Sequence, residues 1–141
     1  MRRAFTLVEL IVVVIIIGIL LAVGVPQYRK ALERARGAEA YAGLGNIQEA
    51  EKVYYASNEV YFPCGDGATE CTDGEENTLD ISLPQNAWYF TIEADTAAIP
   101  PVFTATATRR LGPCAGAGDN TIVVNEKGPV SDVWKTCVDG L

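Results

Sequence analysis

Polar and apolar positions are segregated along this chain, and the segregation divides it into parts. From Leu7 to Val25 every residue is apolar or glycine except Glu9. Counted from Phe5, a helix reaching Val25 would span roughly 30 Å, about one hydrocarbon core. Val12, Val13, Val14, Ile15, Ile16 and Ile17 are β-branched and mediocre helix formers in water. In lipid the backbone must satisfy its own donors and acceptors, so helix is the state this run predicts. A carboxylate deep in such a segment costs about 2.5 to 3.5 kcal/mol on insertion scales, which makes Glu9 a functional candidate.

Past Pro26 the helical period becomes amphipathic. Tyr28, Ala31, Ala35, Ala38 and Ala42 share one stripe, while Ala40, Leu44, Ile47 and Tyr54 gather near the opposite side. Lys30, Arg34, Gln48 and Lys52 line a polar flank between them. A helix apolar on two separated faces has two things to touch: its own globular head and neighbouring copies. Gly37, Gly43 and Gly45 each cost up to about 1 kcal/mol relative to alanine and weaken the middle of the helix. Its end is expected near Ser57-Asn58.

From Val60 the texture changes. Residues 63–77, PCGDGATECTDGEEN, read as a glycine-rich acidic loop. Strands are expected over Ala87–Ala94, Val102–Arg109, Thr121–Asn125 and Asp132–Cys137. The second alternates strictly, with Phe103, Ala105 and Ala107 on one face and Thr104, Thr106 and Thr108 on the other. AIPP (98–101) and GPCAGAGDN (112–120) are connectors. One long helix followed by short antiparallel strands is an α+β fold, with the helix packed on one face of a small sheet.

Composition narrows the chemistry. The chain has 141 residues, a formal charge of −7 and no histidine, the commonest general base and metal ligand. A body this acidic is not expected to bind nucleic acid through a broad phosphate-contacting surface. Cys64, Cys71, Cys114 and Cys137 include no C-x-x-C pair, so zinc or thioredoxin-like chemistry is weakly supported. An even count behind a membrane-targeting segment fits two disulfides in an oxidising compartment. Three connectivities are open; Cys64–Cys71 with Cys114–Cys137 is the expected one. Asp66, Glu70, Asp73, Glu75, Glu76 and Asp80 could gather oxygen ligands for calcium, but the EF-hand spacing is missing and a solvated loop is the simpler reading. Tyr28, Tyr41, Tyr54 and Tyr55 read as packing residues. No cofactor and no metal are expected, and nothing in the sequence points to an enzyme.

The opening RRA-FTLVEL followed by an apolar helix resembles the class III signal of type IV pilins and pseudopilins. The resemblance is strong from Arg3 to about Tyr28 and becomes architectural beyond. It implies a leader, residues 1–4, cut between Ala4 and Phe5 by a prepilin peptidase, and N-methylation of the new Phe5 amine. The family usually has glycine before the cut; Ala4 is the nearest substitute in size. The resemblance further implies a filament-core and transmembrane segment over 5–26, an amphipathic second half of the helix over 27–58, and a head over 59–141. Glu9 falls at the fifth mature position, and Gly18 and Pro26 where members carry helix-softening residues. Paired with the Phe5 amine of a neighbouring subunit, Glu9 would set assembly register, an attested use of a buried polar group.

The function so implied is a structural subunit of a type IV pilus, a helical homopolymer drawn from the bacterial inner membrane by an assembly machinery. Its head would face the periplasm before assembly, and the finished filament would be extracellular. Arg29, Lys30, Arg34 and Arg36 on the far flank of the span run against the positive-inside rule; the cysteines and the processing motif outweigh it. Two alternatives stand beside this. A type II secretion pseudopilin shares the N-terminus, although Cys114–Cys137 resembles the C-terminal loop of pilins, whereas major pseudopilins more often stabilise that region with calcium. A secreted protein behind an ordinary signal peptide would use Ala22-Val23-Gly24 as a small-x-small cleavage site, but leaves Glu9 without a purpose.

Overall fold

The computed structural model describes residues 5–64, 79–84, 87–116, 118 and 120–141. Helix α1 runs unbroken over Leu7–Asn58, 52 residues, through both Gly18 and Pro26. At 1.5 Å per residue that is a rod of roughly 78 Å. Thr6 starts it: its hydroxyl accepts from Glu9 N–H at 3.2 Å, and Glu9 Oε2 accepts from Thr6 N–H at 3.3 Å. Glu59 ends it in the left-handed region at φ 61°, donating its N–H to Tyr55 O at 2.8 Å. The expected end near Ser57-Asn58 is the observed one.

The head is a four-stranded antiparallel meander laid along the second half of α1. The strands are β1 Trp88–Asp95, β2 Val102–Arg109, β3 Thr121–Asn125 and β4 Gly128–Asp132, ordered β1-β2-β3-β4. Period-two alternation puts Trp88, Phe90, Ile92, Phe103, Ala105, Ala107, Ile122 and Val124 in the core. The face expected for Phe103, Ala105 and Ala107 is the buried one. Helix α1 answers with a single line at helical spacing: Glu33, Gly37, Ala40, Leu44, Ile47 and Glu51. Tyr28, Ala31, Ala35, Ala38 and Ala42, the other expected stripe, stay exposed.

Strand and helix run side by side. Trp88 Nε1 donates to Arg36 O at 2.9 Å at one end of β1. At the other end of the sheet Phe103 meets Tyr61, which stacks on Tyr55 with ring centroids 4.7 Å apart. Two helix glycines permit this approach. A Cβ on Gly43 would lie 2.6 Å from Phe90 Cζ, and one on Gly37 would overlap the Trp134 ring. Two of the three glycines that weaken the helix locally, Gly37 and Gly43, are thus positions where aromatic rings press against its backbone, whereas Gly45 faces open space.

The expected strand Asp132–Cys137 is a helix. After β3 the chain turns through Glu126-Lys127, with Asn125 Oδ1 accepting from Lys127 and Gly128 N–H at 2.9 and 3.1 Å. The fourth strand therefore falls earlier, on β4, and helix α2 follows over Val133–Gly140. Asp132 caps it, Oδ1 accepting from Lys135 N–H at 2.9 Å. Buried Trp134 and Val138 lie four apart on the face turned to α1 and the sheet. Eight residues are marginal as a free helix. Tertiary bonds hold this one, chief among them the disulfide Cys114–Cys137, which was the expected pairing. Cys64 is also disulfide-bonded; its expected partner Cys71 and most of the acidic loop lie outside the described residues, as does Ala4.

Candidate assembly site on the long helix

The site predicted from sequence is the first turn of α1. Phe5 is 84% exposed, and the side chains from Leu7 to Val25 are all exposed. This is the one helix among the described residues long and apolar enough to cross a membrane. An apolar face of that size, uncovered by its own head, calls for lipid or other copies around it.

Glu9 is engaged within its own subunit. Its Oε2 accepts from Thr6 N–H and from the Thr6 hydroxyl, both at 3.3 Å. The carboxylate is therefore the third-position acid of a capping box, and it also complements the positive end of the helix. Both interactions use the side chain where it stands, at the tip of a bare apolar rod. Gly18 has nothing within 4 Å of the place a Cβ would take. Pro26 sits inside the helix, where its missing N–H leaves one turn without its backbone bond.

Further along, the head is locked to α1 by polar groups that the sequence pattern did not single out. Buried Arg109 forks onto buried Glu33, Nε to Oε2 at 3.2 Å and Nη2 to Oε1 at 3.1 Å. Its Nη1 donates to Ala87 O at 2.8 Å, and Arg36 Nη1 also reaches Glu33 Oε1 at 3.2 Å. Gly112 closes the site at φ +121°, where a Cβ would come 2.9 Å from Glu33 Oε1. The Tyr41 hydroxyl donates to Asp132 Oδ2; burial first, then Asp132, pushes that phenol up to about 12. Glu51 is fully buried, with Oε2 accepting from Phe62 N–H at 2.9 Å. Its Oε1 has no hydrogen-bond partner among the described residues, and burial pushes its pKa up to about 7. Glu33 and Glu51 could have been found: they close the two ends of the line Gly37-Ala40-Leu44-Ile47. Arg109 carried no such signal, because only the strand register brings it to Glu33.

Comparison with known proteins agrees with this geometry. Residues 26–120 match the family described as "Type IV minor pilin ComP, DNA uptake sequence receptor", and residues 1–25 match the prokaryotic N-terminal methylation motif. The chain is similar to the type IV major pilin protein PilA of Myxococcus xanthus, 39% identical over 60 residues, 43% of this chain and 27% of the relative. It is similar to a type IV major fimbrial protein FimA of Dichelobacter nodosus, 38% identical over 85 residues, 55% of this chain and 54% of the relative. The type IV major pilin protein PilE of Neisseria gonorrhoeae is 34% identical over 61 residues, 43% of this chain and 36% of the relative. The matches thus span about a quarter to a half of the relatives' own lengths. No solved structure matches the chain.

Proposed function

The chain belongs to the family of type IV minor pilins described as DNA uptake sequence receptors, and from that premise we propose that it is a structural subunit of a type IV pilus, anchored in the membrane by α1 and polymerised through it. The observation that carries the reading is the coincidence, within residues 1–25, of the N-terminal methylation motif with an exposed apolar helix holding a single acid. The leader 1–4 is removed between Ala4 and Phe5, and the new Phe5 amine becomes the counter-charge of Glu9 on an adjacent subunit. In a lone subunit the capping box keeps Glu9 hydrogen-bonded. Assembly then exchanges the Thr6 contacts for an ion pair in apolar surroundings, where a charge-assisted bond is stronger than a neutral one. Gly18 and Pro26 are the points at which the packed rod gives. The pseudopilin alternative is not favoured, since the relatives found are pilins and fimbrial proteins.

Glu9→Ala tests the assignment. Cleavage before Phe5 should continue, and insertion of the lone subunit should be unchanged or slightly better. Filament yield at the cell surface should fall steeply, because losing one partner of a buried pair costs about 3 to 5 kcal/mol. Normal piliation with Ala at this position would leave Glu9 as a helix cap and remove the assembly role. N-terminal sequencing that began near Val25 would restore the secreted-protein reading.

A second reading, capture of DNA, is favoured by the family description alone. Against it, cations of the head and of the helix beside it are already engaged with carboxylates. Arg109 is held by Glu33, Lys52 by Glu49 at 2.8 Å and Lys127 by Glu126 at 3.9 Å. In so acidic a chain, filament building is the function we assign. A salt-sensitive gel shift with duplex DNA would reinstate the second.

A further inference from the structure

Of the basic residues that defy the positive-inside rule, only Arg36 is tied into the core of the head, through Glu33 and Trp88. Residues 27–36 hold four cations, Arg29, Lys30, Arg34 and Arg36, against one carboxylate, Glu33. Residues 37–141 hold five cations against 16 carboxylates. Glu33 is buried and already shared by Arg109 and Arg36, so it does not neutralise the others. A strongly acidic head therefore stands on a short basic collar.

The collar is level with the lowest part of the head. Lys30 Nζ donates to Asp139 O at 2.9 Å, and Arg34 Nη2 meets Asp139 Oδ1 at 3.3 Å, at the end of α2. Gly112 lies against Glu33, which puts the 110–113 loop at the same height. Leu111 beside it is 67% exposed and Leu141 after α2 is 44% exposed. Counting from Val25, residues 29 to 34 stand roughly 6 to 13 Å beyond the apolar run. The headgroup zone is about 5 to 8 Å deep on each side of the hydrocarbon core, so Arg29 and Lys30 stand in it and the long stem of Arg34 can reach back to it. Tyr28, 69% exposed, adds the aromatic residue such interfaces favour.

We infer that the underside of the head is a docking surface for anionic phospholipid headgroups, with Arg29, Lys30 and Arg34 taking the phosphates and Leu111 and Leu141 resting at the interface. The inference rests on the membrane-anchored reading above. Charge complementarity is its warrant: an anionic surface repels the body of the head and attracts only this collar, so it fixes which side faces down. Guanidinium forks donate to phosphate oxygens with the geometry they use for carboxylate. Asp139, now on Arg34, therefore occupies a place a lipid phosphate can take.

The test is the full chain in nanodiscs of phosphatidylcholine, or of equal parts phosphatidylcholine and phosphatidylglycerol, each doped with a headgroup-spin-labelled lipid. Methyl signals of Leu111 and Leu141 should broaden strongly in the mixed discs and weakly in the neutral ones. Ile99, in the β1–β2 connection at the opposite end of the sheet, serves as reference. Each cation replaced, in Arg29→Gln, Lys30→Gln or Arg34→Gln, should weaken the contact about five-fold. High salt should do the same to the native chain. Asp139→Asn should strengthen the contact, an effect that a merely structural role for Asp139 would not give. Equal broadening in both lipids overturns the inference, as does unchanged broadening in a folded triple variant whose filaments are lost, which would assign the cations to subunit contacts. A chain that enters neither disc overturns the anchoring reading, and this inference with it.

Discussion

Glu51 is the residue whose chemistry reaches furthest into the behaviour of the head. It receives the backbone N–H of Phe62, so it fastens the segment that leaves α1 to the helix it left. Tyr61 beside it stacks on Tyr55 and meets Phe103, binding the same segment to β2. Burial raises the carboxyl from an ordinary 4.5 to about 7, so the folded state holds its proton more tightly than the unfolded chain does. Stability from this group is then complete below about pH 4.5 and is lost as pH rises through about 7, at most about 3 kcal/mol in all. Unfolding midpoints of the native chain should fall over that interval, and Glu51→Gln should flatten the fall. A native profile that is level from about pH 5 to about pH 8 would show that water reaches the carboxylate and leaves its proton affinity the same in the folded and unfolded chain. Glu33, the other buried acid of the helix, is held by the bidentate guanidinium of Arg109.

At the scale of elements, the outcome depended on whether the deciding contacts were local. The long helix was legible because lipid, capping and helical period all act within one segment. Thr6, Glu9 and the run to Val25 carry the signal themselves. The alternation in VFTATATR was equally plain, and β2 is where it was expected. DVWKTC misled because six residues give too short a window to tell period two from period 3.6. What decides it is remote: Cys114 bonded to Cys137, Lys30 and Arg34 on Asp139, and the ring of Trp134 over Gly37. The glycines give a prediction with two signs. Gly37→Ala gains helix propensity but drives a methyl into Trp134, so it should destabilise by about 1 to 3 kcal/mol. Gly45 has nothing within 4 Å of its would-be Cβ, so Gly45→Ala should stabilise by up to about 1 kcal/mol. Thermal unfolding of both variants in detergent checks the pair; stabilisation by both would mean that Trp134 swings away freely.

The whole molecule is a rod whose two halves are solvated differently. The first half is exposed from Leu7 to Val25, while the second half supplies the central line of the head's core. Under the proposed function the covering of Leu7–Val25, which is exposed throughout, comes from outside the subunit: lipid when alone, other rods when assembled. Exchanging one apolar neighbour for another gains little from the hydrophobic effect. In the assembly proposed above, packing of the rods and the pairing at Glu9 would supply the specificity. Removing residues 1–26 follows from this division. The fragment beginning at Gln27 keeps Glu33, the Gly37-to-Ile47 line, Glu51, the sheet, and the disulfide Cys114–Cys137, so its head should fold and stay soluble without detergent. Its exposed stripe of Ala31, Ala35, Ala38 and Ala42 is narrow and small-sided, too little apolar area to hold a filament alone. Sedimentation should show a monomer, circular dichroism a mixed helix and sheet spectrum, and electron microscopy no fibres at concentrations where the full chain assembles. Fibres of pilus width from this fragment would place the assembly contacts in the head and take from the N-terminal helix the role argued for it.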